Sequence, residues 1–209
     1  MESLLQAFVA FLVIVDPVGV APMFGALTRD QDSKQRRRVA LRAVGIAAVV
    51  LFAFGFGGSW LLGALGIGFP AFRIAGGILL LLAAIDMLFA RPSGLRATTD
   101  PETKEAIHRA DVSVFPLAIP LIAGPGAMTT VVLQTTAAAG DPARLAAVFA
   151  ALAAVLALTL VTLLFSAALM RVLGVTGINV IGRVLGIVLA ALACQLVIDG
   201  LLASGLIRA

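Results

Sequence analysis

Asp16-Pro17-Val18-Gly19-Val20-Ala21-Pro22 sets a carboxylate among two prolines and a glycine, inside an apolar stretch that begins at Leu4. Pro17 and Pro22 carry no N–H, so each leaves a carbonyl one turn back without its helical donor, and Gly19 permits backbone angles closed to other residues. Freed backbone groups at membrane depth persist only against protein or a wet cavity. The competing reading is a plain proline kink. A kink alone does not call for an acid, however, and an intramembrane Asp costs at least about 2.5–3.5 kcal/mol on insertion scales. Asp16 is therefore the candidate for carrying a coupling proton or for meeting the ammonium of a substrate, with Pro17, Gly19 and Pro22 shaping its surroundings.

A second motif repeats this logic without a charge: Pro116-Leu117-Ala118-Ile119-Pro120, then Gly124-Pro125-Gly126-Ala127-Met128-Thr129-Thr130. Pro125 suits the first position of a half-helix, which predicts that the N–H groups of Gly126, Ala127 and Met128 lack intrahelical acceptors. Together with the positive end of the helix dipole they make a seat for a carboxylate. Pro22 suits the start of the matching half-helix in the first motif. Thr28, Thr129, Thr130 and Gln134 offer polar side chains, although a helical Thr commonly bonds its own carbonyl one turn back. The predicted substrate-binding set is Asp16, Pro17, Gly19, Pro22, Gly124, Pro125, Gly126, Ala127, Met128 and Thr129.

Four further charges fall in apolar stretches. Asp86 follows Arg73 by 13 residues and Asp199 follows Arg183 by 16, too far along one helix for contact. Any ion pair among Arg73, Arg183, Asp86 and Asp199 must cross between helices; the alternative is that each snorkels to the headgroups. Soluble-enzyme motifs such as H-E-x-x-H, G-x-S-x-G and a phosphate-binding loop are missing. With one histidine, His108 in a charged stretch, and one cysteine, Cys194 in an apolar one, a metal site is not expected. Gly57-Gly58-Ser59 has no membrane histidine to activate its serine, so neither an enzyme nor a cofactor is expected.

The elements that must hold these residues follow from composition. Of 209 residues, 61% are hydrophobic and 12% charged, against roughly 45–50% and 25% in a globular domain, and the mean hydropathy is +1.12. These values exclude a disulfide scaffold, a disordered chain and a cytosolic enzyme. Apolar tracts long enough for a hydrocarbon core of roughly 30 Å recur. They predict six helical spans near Leu4–Leu27, Val39–Leu65, Ala71–Ala90, Val112–Thr136, Leu145–Met170 and Ile178–Ile207, with the first and fourth broken by their prolines. Met1-Glu2-Ser3 lacks the basic flank of a secretory signal, so the stretch from Leu4 reads as a span rather than a cleaved leader.

Basic residues set the orientation. Eleven of them fall in the first, third and fifth connections: Arg29, Lys34, Arg36, Arg37, Arg38 and Arg42; Arg91, Arg96, Lys104 and Arg109; and Arg171. Arg144 and Arg208 lie on the other side. The bias predicts those three connections in the cytoplasm, both termini outside, and contact with anionic lipid rather than nucleic acid. Trp60, near the end of the second span, is an interfacial anchor in this arrangement.

The halves of the chain resemble one another. Leu62-Gly63-Ala64-Leu65-Gly66-Ile67 and Arg73-Ile74-Ala75-Gly76 return as Leu173-Gly174-Val175-Thr176-Gly177-Ile178 and Arg183-Val184-Leu185-Gly186. Three spans per half, an odd number, oblige the second half to enter the membrane inverted. The expected fold is all-α: two inverted three-helix repeats, residues 1–90 and 112–209, joined by a cytoplasmic loop over 91–111. Inverted repeats with broken helices meeting near the midplane are the design of secondary transporters.

Asp16-Pro17-Val18-Gly19-x-x-Pro22-x-Phe24-x-x-Leu27-Thr28, Ala118-Ile119-Pro120-Leu121-x-Ala123-Gly124-Pro125-Gly126-Ala127 and Arg183-x-x-Gly186 with Ile198-Asp199-Gly200 resemble the MarC family of bacterial inner-membrane proteins. The resemblance covers essentially the whole chain. It implies six spans with both termini periplasmic, membership of a lysine-exporter-like superfamily, and kinship with proton-linked transporters of small neutral amino acids. The expected function is secondary transport of a small zwitterionic amino acid such as glycine or alanine, coupled to protons, as exporter or symporter. An uncoupled channel or facilitator for small solutes is the alternative. Neither residues nor resemblance determine the oligomeric state.

Overall fold

The computed structural model describes residues 2–89 and 112–205. The predicted loop over 91–111, His108 within it, and Arg208 lie outside the described residues. Every element among them is helical: α1 (Glu2–Val15), α2 (Pro17–Leu27), α3 (Ser33–Ala64), α4 (Phe69–Phe89), a widely wound segment Ser113–Ile122, α5 (Pro125–Ala137), α6 (Pro142–Leu164) and α7 (Ser166–Ala203). Five runs, with Leu4–Leu27 counted as one, are long and apolar enough to cross a membrane. A sixth forms if Ser113–Ile122 and α5, bent by 55° at their junction, are one span.

Helix starts come earlier than hydrophobicity alone suggests, because caps outrank it. Asp32 accepts from the Gln35 N–H at 2.7 Å, and the Gln35 side chain accepts from the Asp32 N–H at 3.4 Å. This reciprocal box starts α3 at Ser33 rather than Val39, so Arg36, Arg37 and Arg38 lie on the helix instead of in a loop. Asp141 caps α6 in the same way, accepting from the Arg144 N–H at 3.0 Å. The expected loop through Arg171 is corrected too. Helix α7 follows α6 after Phe165 alone and bends at Gly174, where φ is 60°. Residues 166–173 hold Ala, Leu, Met and Arg, all good helix formers, and one glycine in the left-handed region is enough to turn the chain.

Packing rests on small residues. Helices α4 and α7 run antiparallel and close: a Cβ at Gly77 would lie 2.8 Å from the Ala193 carbonyl oxygen, one at Gly186 3.2 Å from that of Ala84, and one at Gly200 3.0 Å from that of Pro70. Around this pair, α1 and α2 pack on α6, while Ser113–Ile122 and α5 pack on α3; α2 also touches α7, and α5 touches α4. Phe11, Phe24, Leu51, Leu117, Leu152 and Leu189 are fully buried between them. The outer surface is apolar as well, with Val49, Phe56, Trp60 and Val172 all more than two-thirds exposed. Helices that are hydrophobic on every side suit a lipid solvent.

Candidate functional site

Between α1 and α2 the chain turns at Asp16, the only non-glycine among the described residues with a positive φ (49°). Its N–H still donates to Leu12 O at 3.0 Å and its carbonyl accepts from the Val20 N–H at 3.1 Å, so the interruption is a single residue wide. The carboxylate folds over the new helix end and accepts from the Gly19 N–H at 3.0 Å. Asp16 is 3% exposed. Gly19 is required here, since a Cβ at that position would overlap the Asp16 carboxylate. The half-helix thus starts at Pro17, with Asp16 as its N-cap, and not at Pro22, which lies inside α2. Proline is tolerated at a first helical position because no N–H is needed there, so Pro17 takes that place and α2 is already under way at Pro22.

The second break is wider. Phe115 and Ile119, each preceding a proline, are extended, as residues before proline tend to be. The chain closes this segment with a hydrogen bond from Ala123 N–H to Ala118 O at 2.8 Å. Helix α5 then begins at Pro125 with Gly124 as N-cap and no side-chain cap. Gly126 and Ala127, the second and third helical residues, have no intrahelical acceptor for their N–H groups. Met128 differs from expectation: its N–H donates to Gly124 O at 3.0 Å, because the N-cap carbonyl already accepts the first bond of the helix.

These N–H groups border a cavity of about 20 Å³ lined by Ile14, Leu80, Ala83, Pro120 and the run Gly124 to Ala127. A Cβ on Gly126 would lie 2.7 Å from Leu80 Cδ2 and 3.6 Å from Ile14 Cγ2. The last turn of α1 therefore meets the first turn of α5, and Leu80 of α4 covers the meeting point. The volume holds about one water. One turn further along α5, on the Gly126 face, the Thr130 hydroxyl is buried without a hydrogen-bond partner.

Of the predicted set, Gly124, Pro125, Gly126 and Ala127 line this cavity, whereas Asp16, Pro17, Gly19, Pro22, Met128 and Thr129 do not. Thr129 instead bonds back to Pro125 O at 2.8 Å and lays its methyl against Gly76. Thr28 likewise bonds back to Phe24 O at 2.7 Å. Ile14, Leu80 and Ala83 were missed because apolar wall residues carry no chemical signature. Arg73 and Asp199 take neighbours on their own helices. Arg73 stacks on the Phe69 ring at 4.9 Å and leaves its Nε buried without a partner, while Asp199 accepts from Gln195 Nε2 at 2.8 Å. Among the described residues no ion pair joins Arg73 to Asp199. Gln195, the partner of Asp199, lies one turn away on the same helix, and Asp86 makes an interaction of its own.

The chain is 35% identical over 202 residues to a UPF0056 membrane protein of Methanocaldococcus jannaschii, covering 96% of this chain and 97% of that one. It is 34% identical to the UPF0056 membrane protein YvbG of Bacillus subtilis, covering 95% and 93%, and 33% identical to the UPF0056 inner membrane protein YhgN of Escherichia coli, covering 96% and 97%. No solved structure matches. The description "MarC family integral membrane protein" matches residues 1–204, a span that takes in both helix breaks and the cavity between them. With the apolar helices, the two proline breaks and this match in agreement, the chain belongs to the MarC family of integral membrane proteins.

Proposed function

We propose that the chain is a secondary transporter of small neutral amino acids of the glycine and alanine type, coupled to protons, in the bacterial inner membrane. It is built from two inverted three-span halves, 1–90 and 112–209, with the connection over 91–111 cytoplasmic and both termini periplasmic. The packing supports the inversion. A two-fold axis in the membrane plane exchanges spans one with four, two with five and three with six. Under that exchange the contact of α1 and α2 with α6 becomes the contact of Ser113–Ile122 and α5 with α3, and α2 on α7 becomes α5 on α4; all of these occur. The close pair agrees at residue level: Gly77 faces Ala193 and Val197, and Gly186 faces Ala84 and Leu88. Each residue and its counterpart (77 and 186, 84 and 193, 88 and 197) are 109 positions apart, so these contacts pair Gly186 with Gly77, one position on from the Gly76 of the sequence repeat.

The single observation that carries the substrate reading is the uncapped start of α5. Its counterpart α2 holds a carboxylate, supplied by Asp16, on the N–H of Gly19, the third helical residue as Ala127 is in α5. On α5 the substrate carboxylate takes that place, on Gly126 and Ala127, with the Thr130 hydroxyl one turn below. Leu80 and Ile14 fill most of the seat, so an amino acid enters when α4 or α1 moves, as alternating access requires. Asp16 is the proton carrier in this scheme: a proton on its carboxylate removes the charge that the start of α2 holds.

A thermal-shift titration of the purified chain tests the seat, because a ligand that binds only the folded state raises its stability. Glycine and alanine should raise the melting temperature, and glycinamide, which lacks the carboxylate, should not. Equal stabilisation by glycine and glycinamide would remove the carboxylate seat.

A further inference from the structure

On the side of the molecule where α3 begins, a separate cavity of about 340 Å³ opens between the start of α3 and the α6–α7 junction, lined by Phe24, Ser33, Arg36, Arg37, Leu163 and Leu164 among others. From it we infer that the chain holds an anionic phospholipid there, with the lipid phosphate on Arg36 and Arg37 and the adjoining acyl chain along Leu164.

Arg36 is held in place by two contacts. Its Nη2 donates to Ser166 Oγ at 3.2 Å, Ser166 being 1% exposed, and its Cζ lies 5.8 Å from the centroid of the buried Phe24 ring. A guanidinium has five N–H donors in a fixed fork, so one bond to Ser166 fixes its plane and leaves donors for an oxyanion. Among the described residues no carboxylate neutralises it: Asp32, the acid nearest in the chain, caps α3 through Gln35, and neither Arg36 nor Arg37 forms an ion pair with any of them.

The depth fits a headgroup. Helix α3 has 32 residues, or about 48 Å at 1.5 Å per residue, well beyond a core of about 30 Å. Its first two turns, Ser33 to Arg38, therefore stand in the headgroup layer. The opposite wall is apolar, with Leu163 fully buried and Leu164 at 42% exposed to the surroundings. A cationic end joined to an apolar wall suits an amphiphile with a phosphate better than a free ion, and basic pockets between spans are a recognised seat for such headgroups.

The purified full chain is titrated with short-chain phosphatidylglycerol, short-chain phosphatidylcholine and inorganic phosphate, reading melting temperature and bound lipid by native mass spectrometry. Phosphatidylglycerol should stabilise saturably, and the other two should not. Arg36→Gln should weaken that binding about tenfold, the loss of one charge-assisted hydrogen bond. Arg38→Gln, an equal charge change that does not line the cavity, should leave it unchanged. Should Arg36→Gln not fold, Arg37→Gln and Ser166→Ala read the same cavity, and both should weaken binding. Inorganic phosphate matching the lipid would assign the site to a free anion and overturn the proposal. So would phosphatidylcholine matching phosphatidylglycerol, or cavity variants no weaker than Arg38→Gln.

Discussion

Asp16 and Gly124 meet the same physical problem, a helix starting inside a membrane protein, with opposite means. Asp16 brings its own carboxylate to the Gly19 N–H; Gly124 brings nothing. If Asp16 carries the coupling proton, Asp16→Asn should keep the fold, since an amide also caps well, yet lose proton-driven accumulation. Full coupled uptake by the variant would remove Asp16 from coupling. Gly126→Val should abolish binding of glycine in the same thermal-shift titration, because its first added carbon already falls within 2.7 Å of Leu80. Thr130→Val separates site from stability: removing an unpartnered buried hydroxyl should leave the melting point level or raised, while glycine affinity drops several-fold. An unchanged affinity would exclude Thr130 from the seat. At this scale the prolines and the acid were legible, because each has a large and specific cost in a membrane helix. That Pro17 and not Pro22 starts α2 was not, since it turned on the single backbone conformation of Asp16.

Among the elements, the α4–α7 crossing is where the fold is most exposed to a single substitution. Gly77→Leu must force apart a contact in which an added Cβ would already lie within 2.8 Å of Val197 and of the Ala193 carbonyl oxygen; overpacking of this kind costs about 1–3 kcal/mol. A reversible unfolding titration in detergent should read that loss, and Gly63→Leu, where nothing lies within 4 Å, should stay near the parent. Equal stability for both would mean that the two helices do not approach as described. The existence of the spans was legible from apolar length. Their starts were legible only in part: Asp32 with Gln35 is a capping signature in plain view, but an apolar-length reading passes over it to Val39. The bend at Gly174 has no such signature. Six of the preceding eight residues are good helix formers, and only packing decides which glycine turns the chain.

For the whole molecule, the orientation of the halves is the finest claim, and in the sequence it rests on the basic connections together with the repeat. Cys194 is exposed and free, so labelling starts from Cys194→Ala. Single cysteines at Asp30 and Thr98 should react from the cytoplasmic face, and one at Gly68 from the other; Asp30 and Gly68 reacting from one face would contradict a crossing by α3. The wall of the cavity was not legible, because Ile14 and Leu80 meet Gly126 only through the three-dimensional arrangement of α1, α4 and α5. Purified chain in proteoliposomes, given radiolabelled glycine or alanine with and without an imposed proton gradient, should accumulate the amino acid above equilibrium only when the gradient is present, and Gly126→Val should not accumulate it at all. Uptake that never exceeds equilibrium under the gradient, with Gly126→Val still permeable, would contradict a coupled transporter with its seat at the start of α5.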